Sequence, residues 1–197
     1  MKPRSSQVRA ILLTLSLCGL AACQSSTSSE EQEEAKELSP VERVIQKLPP
    51  VEIELKEITP ESLKVELEKH KGKVVLVDYW ATWCPICIDT LHHLSEWHLK
   101  YADQGLVIIT INLDEDNESN RNMVRQYLFD QRAPYETFIC TSKPAADAFR
   151  KFEIAGETLP FCQIYDRTGK LVVSLGNVDP ARLYDERSIS AALAKLF

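Results

Sequence analysis

The sequence predicts a mixed α/β sheet covered on both faces by helices, and three observations carry that prediction. Residues 73–80 are almost continuously apolar and β-branched, as strands buried on both faces are. Strand-like and helix-like stretches alternate through 51–197, the pattern that builds a sheet with parallel members. The chain then closes on two apolar runs separated by Asp166-Arg167-Thr168-Gly169-Lys170, a hairpin signature.

In order along that region, Val51, Ile53 and Leu55 alternate with Glu52, Glu54 and Lys56, so 51–57 reads as a strand with one wet face. Thr59-Pro60 opens a helix to about Lys71, with Leu63, Leu67 and Val65 as candidates for its inner face. Gly72-Lys73 turns into the central strand. A second helix follows to about Asp103, with Leu91, Leu94 and Tyr101 inward. Gly105 ends it, and 106–113 is a second buried strand. Acidic 114–120 lacks the glycine and distal glutamate of a calcium-binding helix-loop-helix and reads as a helix N-cap region, the helix running from Ser119 to Asp130. A strand at 135–140, a helix at 144–152, the hairpin of 161–166 and 171–175, and a helix opened by Asp179-Pro180 with Leu183, Ile189, Leu193 and Leu196 complete the chain.

The first 50 residues are of a different kind. Lys2, Arg4 and Arg9 precede an apolar run from Ala10 to Leu17, too short for a bilayer span of about 20 residues but of the length of a secretory leader's core. Leu20-Ala21-Ala22-Cys23 follows. The expected organisation is a leader at 1–22, a Ser- and Glu-rich tether with a short helix at 23–50, and one domain at 51–197. The tether lacks aromatics and cannot bury enough surface to order itself. Within it, Ser39-Pro40-Val41-Glu42 is a capping-box pattern that opens the short helix. The formal charge of −6 becomes −9 without the leader's three cations, and no basic patch remains, which argues against nucleic acid as a partner.

The chemistry sits at Cys84-Pro85-Ile86-Cys87, where the central strand hands over to a helix. The free N–H groups and the dipole of a first helical turn stabilise an anion, favouring thiolate over thiol at Cys84. The three-residue step puts Cys87 one turn away, within reach of any mixed disulfide formed on Cys84. Pro85 suits the first turn, where its missing N–H costs nothing. The pair reads as a dithiol/disulfide couple.

The segment Val77-Asp78-Tyr79-Trp80-Ala81-Thr82-Trp83-Cys84-Pro85-Ile86-Cys87 resembles the active-site segment of the thioredoxin superfamily. Thr158-Leu159-Pro160 before a strand resembles that fold's cis-proline loop, and Leu20-Ala21-Ala22-Cys23 resembles a bacterial lipobox. Together with the strand-helix unit inserted at 135–152 and the asparagine-aspartate end of the second strand, these are similar to the TlpA-like branch of anchored extracytoplasmic proteins. The resemblance implies a thioredoxin-like fold, a central mixed sheet flanked by helices. It implies a thiol-disulfide oxidoreductase with no cofactor, clients carrying disulfides or thiols, and a thiol electron donor in the membrane. Lipid on Cys23 would hold the protein on the extracytoplasmic side of a bacterial membrane. By position, Cys84 is the attacking thiol and Cys87 the resolving one. Asp78 is the buried acid that exchanges a proton with Cys87, and Pro160 lies against the disulfide. Leu159, Trp83 and Pro85 face the client, while Trp80 belongs to the core. The chain departs from the pattern at His92, where a helix-kinking proline is usual, and at Thr90, where the branch carries Glu.

Two other readings compete. A module that only delivers a soft metal ion could use the same two thiols, but no second Cys-x-x-Cys stands in the chain. A thiol peroxidase needs a lone activated cysteine, and Cys87 and Pro160 argue against one. His92, His93 and His98 could join the thiols in a copper or zinc site, but nine residues of rise separate His93 from Cys84, so surface or half-buried histidines are expected instead. Cys140 and Cys162 are expected on strands too far apart to bridge, as two small buried apolar side chains.

Overall fold

The structure is a computed structural model that describes Arg43, Gln46 and residues 51–197. The leader, Cys23, the tether and most of the helix expected after Ser39 lie outside the described residues, although Arg43 and Gln46 are both helical. Strands β1 (Leu55–Ile58), β2 (Val74–Trp80), β3 (Leu106–Asn112), β4 (Glu136–Cys140), β5 (Phe161–Tyr165) and β6 (Leu171–Gly176) form one six-stranded sheet in the order β1-β4-β3-β2-β5-β6. Helices α1 (Pro60–Lys69), α2 (Pro85–Tyr101), α3 (Glu118–Asp130), α4 (Ala145–Lys151) and α5 (Glu186–Leu193) connect or follow them. β2 pairs in parallel with β3 and antiparallel with β5, so the sheet is mixed as expected.

β2 is the axis of this arrangement. All seven of its residues are buried. Its even positions Val74, Leu76 and Trp80 join Leu91, Leu94, Ile108 and Ile164 in one core, while Val75, Val77 and Tyr79 join Ile109, Ile111, Phe138 and Phe152 in another on the opposite face. A strand with a core on each side cannot slip by one residue without exchanging the two sets, so its register is set by packing. Each fully buried Val, Leu or Ile contributes about 1.5–3 kcal/mol from apolar burial.

Capping fixes where the helices start. Thr59 accepts a hydrogen bond from the Ser62 N–H at 3.2 Å, and the Ser62 hydroxyl accepts one from the Thr59 N–H at 2.9 Å, with Pro60 in the first turn. Asn117 caps α3 by accepting from the Asn120 N–H at 2.9 Å, inside the acidic stretch read as a cap region. Gly105, at φ 96°, occupies the left-handed conformation that ends the turn after α2.

Three expectations are corrected. β1 begins at Leu55 rather than Val51, because its partner β4 begins only at Glu136 and is preceded by Pro134, which has no N–H to offer a ladder. Val65 is 62% exposed and faces away from the core that Leu63 and Leu67 meet. The last helix starts at Glu186, not at Asp179. Asp185 caps it by accepting from the Ser188 N–H at 2.7 Å, whereas 177–184 loops round to the end of β6, where Gly176 is bonded to Arg182 and Tyr184 through the backbone in a single parallel bridge. Cys140 and Cys162 are free and buried, on strands separated by β3 and β2.

These assignments predict that Leu76→Ala lowers the free energy of unfolding by about 2–5 kcal/mol, whereas Val65→Ser changes it by no more than about 0.5 kcal/mol. Urea unfolding of the two variants checks it. A Val65→Ser loss as large as that of Leu76→Ala would restore Val65 to the core.

Candidate active site

The chain leaves β2 at Trp80 and must turn into α2 within four residues. A polar clamp on the end of β3 holds that turn. Asp114, itself buried, accepts from the Thr82 N–H at 2.8 Å and from the Thr82 hydroxyl at 2.9 Å, and Asn112 Nδ2 donates to the same carboxylate at 2.7 Å. The Leu113 N–H donates to the Trp80 carbonyl at 2.9 Å and the Cys84 N–H to the Ala81 carbonyl at 3.1 Å. Cys84 is thereby delivered as the N-cap of α2, in an extended conformation, and its sulfur accepts from the Cys87 N–H at 3.3 Å.

Cys84 and Cys87 are joined in a disulfide with Cα atoms 5.3 Å apart. Both are buried, whereas Trp83 is 60% exposed and Pro85 and Ile86 stand in solvent beside them. The bridged sulfurs thus lie under an exposed rim of apolar side chains. α2 runs from Pro85 to Tyr101 without a break, in keeping with His92 where a kinking proline would be.

The Leu159–Pro160 bond is cis, as the resemblance implies. The antiparallel register pairs Tyr79 with Phe161, so Pro160 falls one step further, level with Trp80 at the end of β2 from which Cys84 follows. Leu159 is half-buried and packs against the cluster that contains Cys84 and Cys87. The chain therefore brings 158–160 to the same end of the sheet as the disulfide.

Asp78 occupies an even position of β2, on the face where Cys84, Cys87 and Cys162 pack together. Only 2% of it is exposed. Burial pushes its carboxyl up to about 7, opposed by a hydrogen bond that the Tyr184 hydroxyl donates to Oδ1 at 2.7 Å. Cys162, in register with Asp78 on β5, has its thiol pushed well up by burial and then by the Asp78 charge. A buried carboxyl balanced near neutrality can hold or release a proton at ordinary pH.

The histidines stay apart from this chemistry. His93 Nδ1 lies 3.1 Å from Glu96, and its ring stacks on Trp97 with centroids 5.8 Å apart. The His92 and His93 rings lie 3.9 Å apart, and burial lowers the pKa of the half-buried His98. The ligand atoms of His92, His93 and Glu96 come within 4.8 Å of one another, but both thiols are bonded to each other and take no part in that group.

Sequence reasoning missed Tyr184 and Thr82. Tyr184 lies 106 positions from Asp78, in a segment the apolar spacing assigned to a helix, and nothing in that spacing signals a carboxylate partner. Thr82 carried a weak signal, since the Asn112 and Asp114 that hold it were already conspicuous at the end of the second strand.

A mixed sheet with a Cys-x-x-Cys at the strand-to-helix junction and a cis-proline loop at the same end defines a protein of thioredoxin-like fold. Residues 44–189 match the AhpC/TSA family, and the chain belongs to it. Among solved structures, the thioredoxin domain of a thiol-disulfide oxidoreductase from Bacteroides vulgatus aligns with a TM-score of 0.53 at 20% identity, over 66% of this chain and 84% of that one. Among curated relatives, the thiol-disulfide oxidoreductase ResA of Bacillus thuringiensis is 37% identical over 67 residues, 34% of this chain and 39% of the relative. The protein DipZ of Mycobacterium bovis is 37% identical over 57 residues, 29% of this chain and 8% of the relative. The match thus spans about two fifths of the ResA relative's length. Among the described residues, no helix is long and apolar enough to cross a membrane.

The raised carboxyl of Asp78 makes stability depend on pH with a definite sign. Folded Asp78 binds its proton more tightly than the unfolded chain, whose aspartates titrate at about 3.9. Its contribution is therefore complete below about pH 4 and is lost as pH rises toward about 7. Relative to Asp78→Asn, the oxidised wild type should lose up to about 4 kcal/mol across that window, at about 1.36 kcal/mol per unit, and nothing further above it. Denaturant unfolding of both proteins at several pH values measures this, and a difference independent of pH would mean that Asp78 is ionised throughout.

Proposed function

We propose that the protein is a thiol-disulfide oxidoreductase that reduces protein disulfides through the Cys84–Cys87 couple. The observation that carries the reading is the position of the bridge, with Cys84 at a helix N-cap and a buried, nearly neutral Asp78 on the same face of the sheet. In the reduced protein the Cys84 thiolate attacks one sulfur of a client disulfide. A mixed disulfide forms and the other client sulfur leaves as a thiolate. Asp78 accepts the proton of Cys87, the Cys87 sulfur attacks Cys84, and the second client sulfur departs. Two electrons pass to the client and Cys84–Cys87 is left oxidised.

Cys87 is assigned the resolving role because it lies inside the first turn of α2, within bonding reach of the Cys84 sulfur at the N-cap, where a thiolate is favoured. The exposed side chains of Trp83, Pro85 and Ile86 supply an apolar surface for the client segment that flanks its disulfide, and Leu159 and Pro160 border the same end of the sheet. The site needs no cofactor or metal, and the negative charge of the chain makes nucleic acid a poor partner.

The wider setting rests on the sequence. The cationic and apolar first 22 residues, followed by Cys23, support a leader cut before a lipid-bearing cysteine, with 23–50 as the tether and 51–197 as the working domain. Such a protein would work on the extracytoplasmic side of a bacterial membrane and be returned to the dithiol by a thiol donor in that membrane.

The cysteine roles give opposite signatures. Cys84→Ser should abolish reduction of insulin, whereas Cys87→Ser should accumulate mixed disulfides that dithiothreitol releases, because the first covalent step survives and the second does not. Non-reducing gels and mass spectrometry distinguish them. Adducts from Cys84→Ser but not from Cys87→Ser would reverse the roles, and adducts from neither would remove the activity.

A further inference from the structure

We propose that Tyr184 is a positioning residue for the proton acceptor, orienting the Asp78 carboxyl, stabilising its ionised form and coupling it to the first turn of α2 through Thr90. The inference rests on the reading that Asp78 takes the proton of Cys87. Tyr184 lies in the segment that loops round to the end of β6, held by its N–H donating to the Gly176 carbonyl at 3.1 Å. Its ring is packed into the core that contains Cys84, Cys87 and Leu91, leaving only 7% exposed. From there its hydroxyl reaches Asp78 Oδ1 at 2.7 Å and stands 3.5 Å from the Thr90 hydroxyl. Thr90 in turn lies 3.0 Å from the carbonyls of Ile86 and Cys87, the last two residues of the Cys-x-x-Cys segment. A chain of polar contacts thus runs from the carboxylate to the backbone of the resolving cysteine.

The surroundings show why this one hydroxyl matters. Asp78 is flanked in register by Thr110 on β3 and Cys162 on β5, and the Thr110 hydroxyl makes no hydrogen bond among the described residues. The other titratable groups that interact with the Asp78 charge are Tyr79 beside it on β2, Tyr135 ahead of β4, and Cys162 and Tyr184 themselves. Burial holds all four in their neutral, protonated forms. α2 contributes the Cys84–Cys87 pair and the neutral Thr90. Among the described residues, Tyr184 donates the one side-chain hydrogen bond that Asp78 receives. Hydrogen bonding to the charged form is then the means available for keeping this carboxyl ionisable near neutral pH.

Tyr184→Phe keeps the ring and removes only the hydroxyl. Two measurements on the full chain test the proposal: the pH profile of insulin reduction, and infrared titration of the Asp78 carboxyl in the reduced protein, with Asp78→Asn identifying the band. The expected result is an upward move of both midpoints by at least about one pH unit, so that turnover at neutral pH falls at least about fivefold and recovers toward the wild-type value at alkaline pH. Ser190→Ala is the structural control. It removes the 3.0 Å hydrogen bond from Trp97 Nε1 that ties α5 to α2, and should lower stability without moving either midpoint. An unmoved infrared midpoint in Tyr184→Phe would overturn the proposal, and so would an equal move in Ser190→Ala. Absence of insulin reduction in the wild type would instead count against the proposed function, and the infrared titration would still decide the role of Tyr184.

Discussion

Burial of β2 on both faces is the constraint from which the rest of the structure follows. A strand that must fill two cores and pair on both edges has no freedom of register, so the point at which it ends is fixed in space. Trp80 ends it, fully buried, and the polypeptide can only turn, cap and begin α2. Two thiols placed four and seven residues beyond Trp80 inherit that rigidity. The Asp114 clamp on Thr82 extends it from the sheet into the turn, because both carboxylate oxygens are occupied by groups of the loop they hold. A reactive sulfur needs little else to be presented in one geometry.

The same strand imposes the electrostatic character of the site. Asp78 stands where a Leu or Val would pack well, and burying a carboxyl there works against folding whenever it is ionised. Tyr184 offsets part of that cost and leaves the group balanced near neutrality instead of locked in its neutral form. Stability is thus surrendered at one residue to keep a carboxyl that can exchange a proton near neutral pH, which is how perturbed carboxyls commonly arise at working sites. Cys162 illustrates the opposite case. It shares the face and the register of Asp78, yet its thiol is driven further from ionisation and behaves as a small apolar side chain.

What could be read in the sequence was what depends on local pattern. The apolar run of β2, the Thr59-Pro60 cap, the Gly105 stop and the Cys-x-x-Cys at the junction each follow from a few adjacent residues, and each stands where it was expected. Pattern failed where a distant partner decides. β1 is cut short by Pro134 ahead of its neighbour, not by anything within 51–54. Leu183 has the spacing of a helical inner face, yet the bridge of 182–184 to Gly176 at the end of β6 leaves it 41% exposed and brings Tyr184 inward instead. For the same reason the two thiols were legible as a site but the Tyr184 hydroxyl bonded to Asp78 was not.

The central claim, that Cys84 and Cys87 form one reversible two-electron couple within a rigid junction, is tested most directly by redox equilibrium. Incubation of the protein in glutathione buffers of graded potential, with trapping of thiols and intact-mass analysis, reads the number of thiols at each point. The account predicts a single transition of two thiols, assigned to Cys84 and Cys87, with a tenfold change in the ratio per about 30 mV and a midpoint between about −270 mV and about −120 mV, the range spanned by reducing and oxidising proteins of this chemistry. Cys140 and Cys162 should remain free thiols throughout. A bridge that does not reopen across that range, or a transition that recruits Cys140 or Cys162, would contradict it.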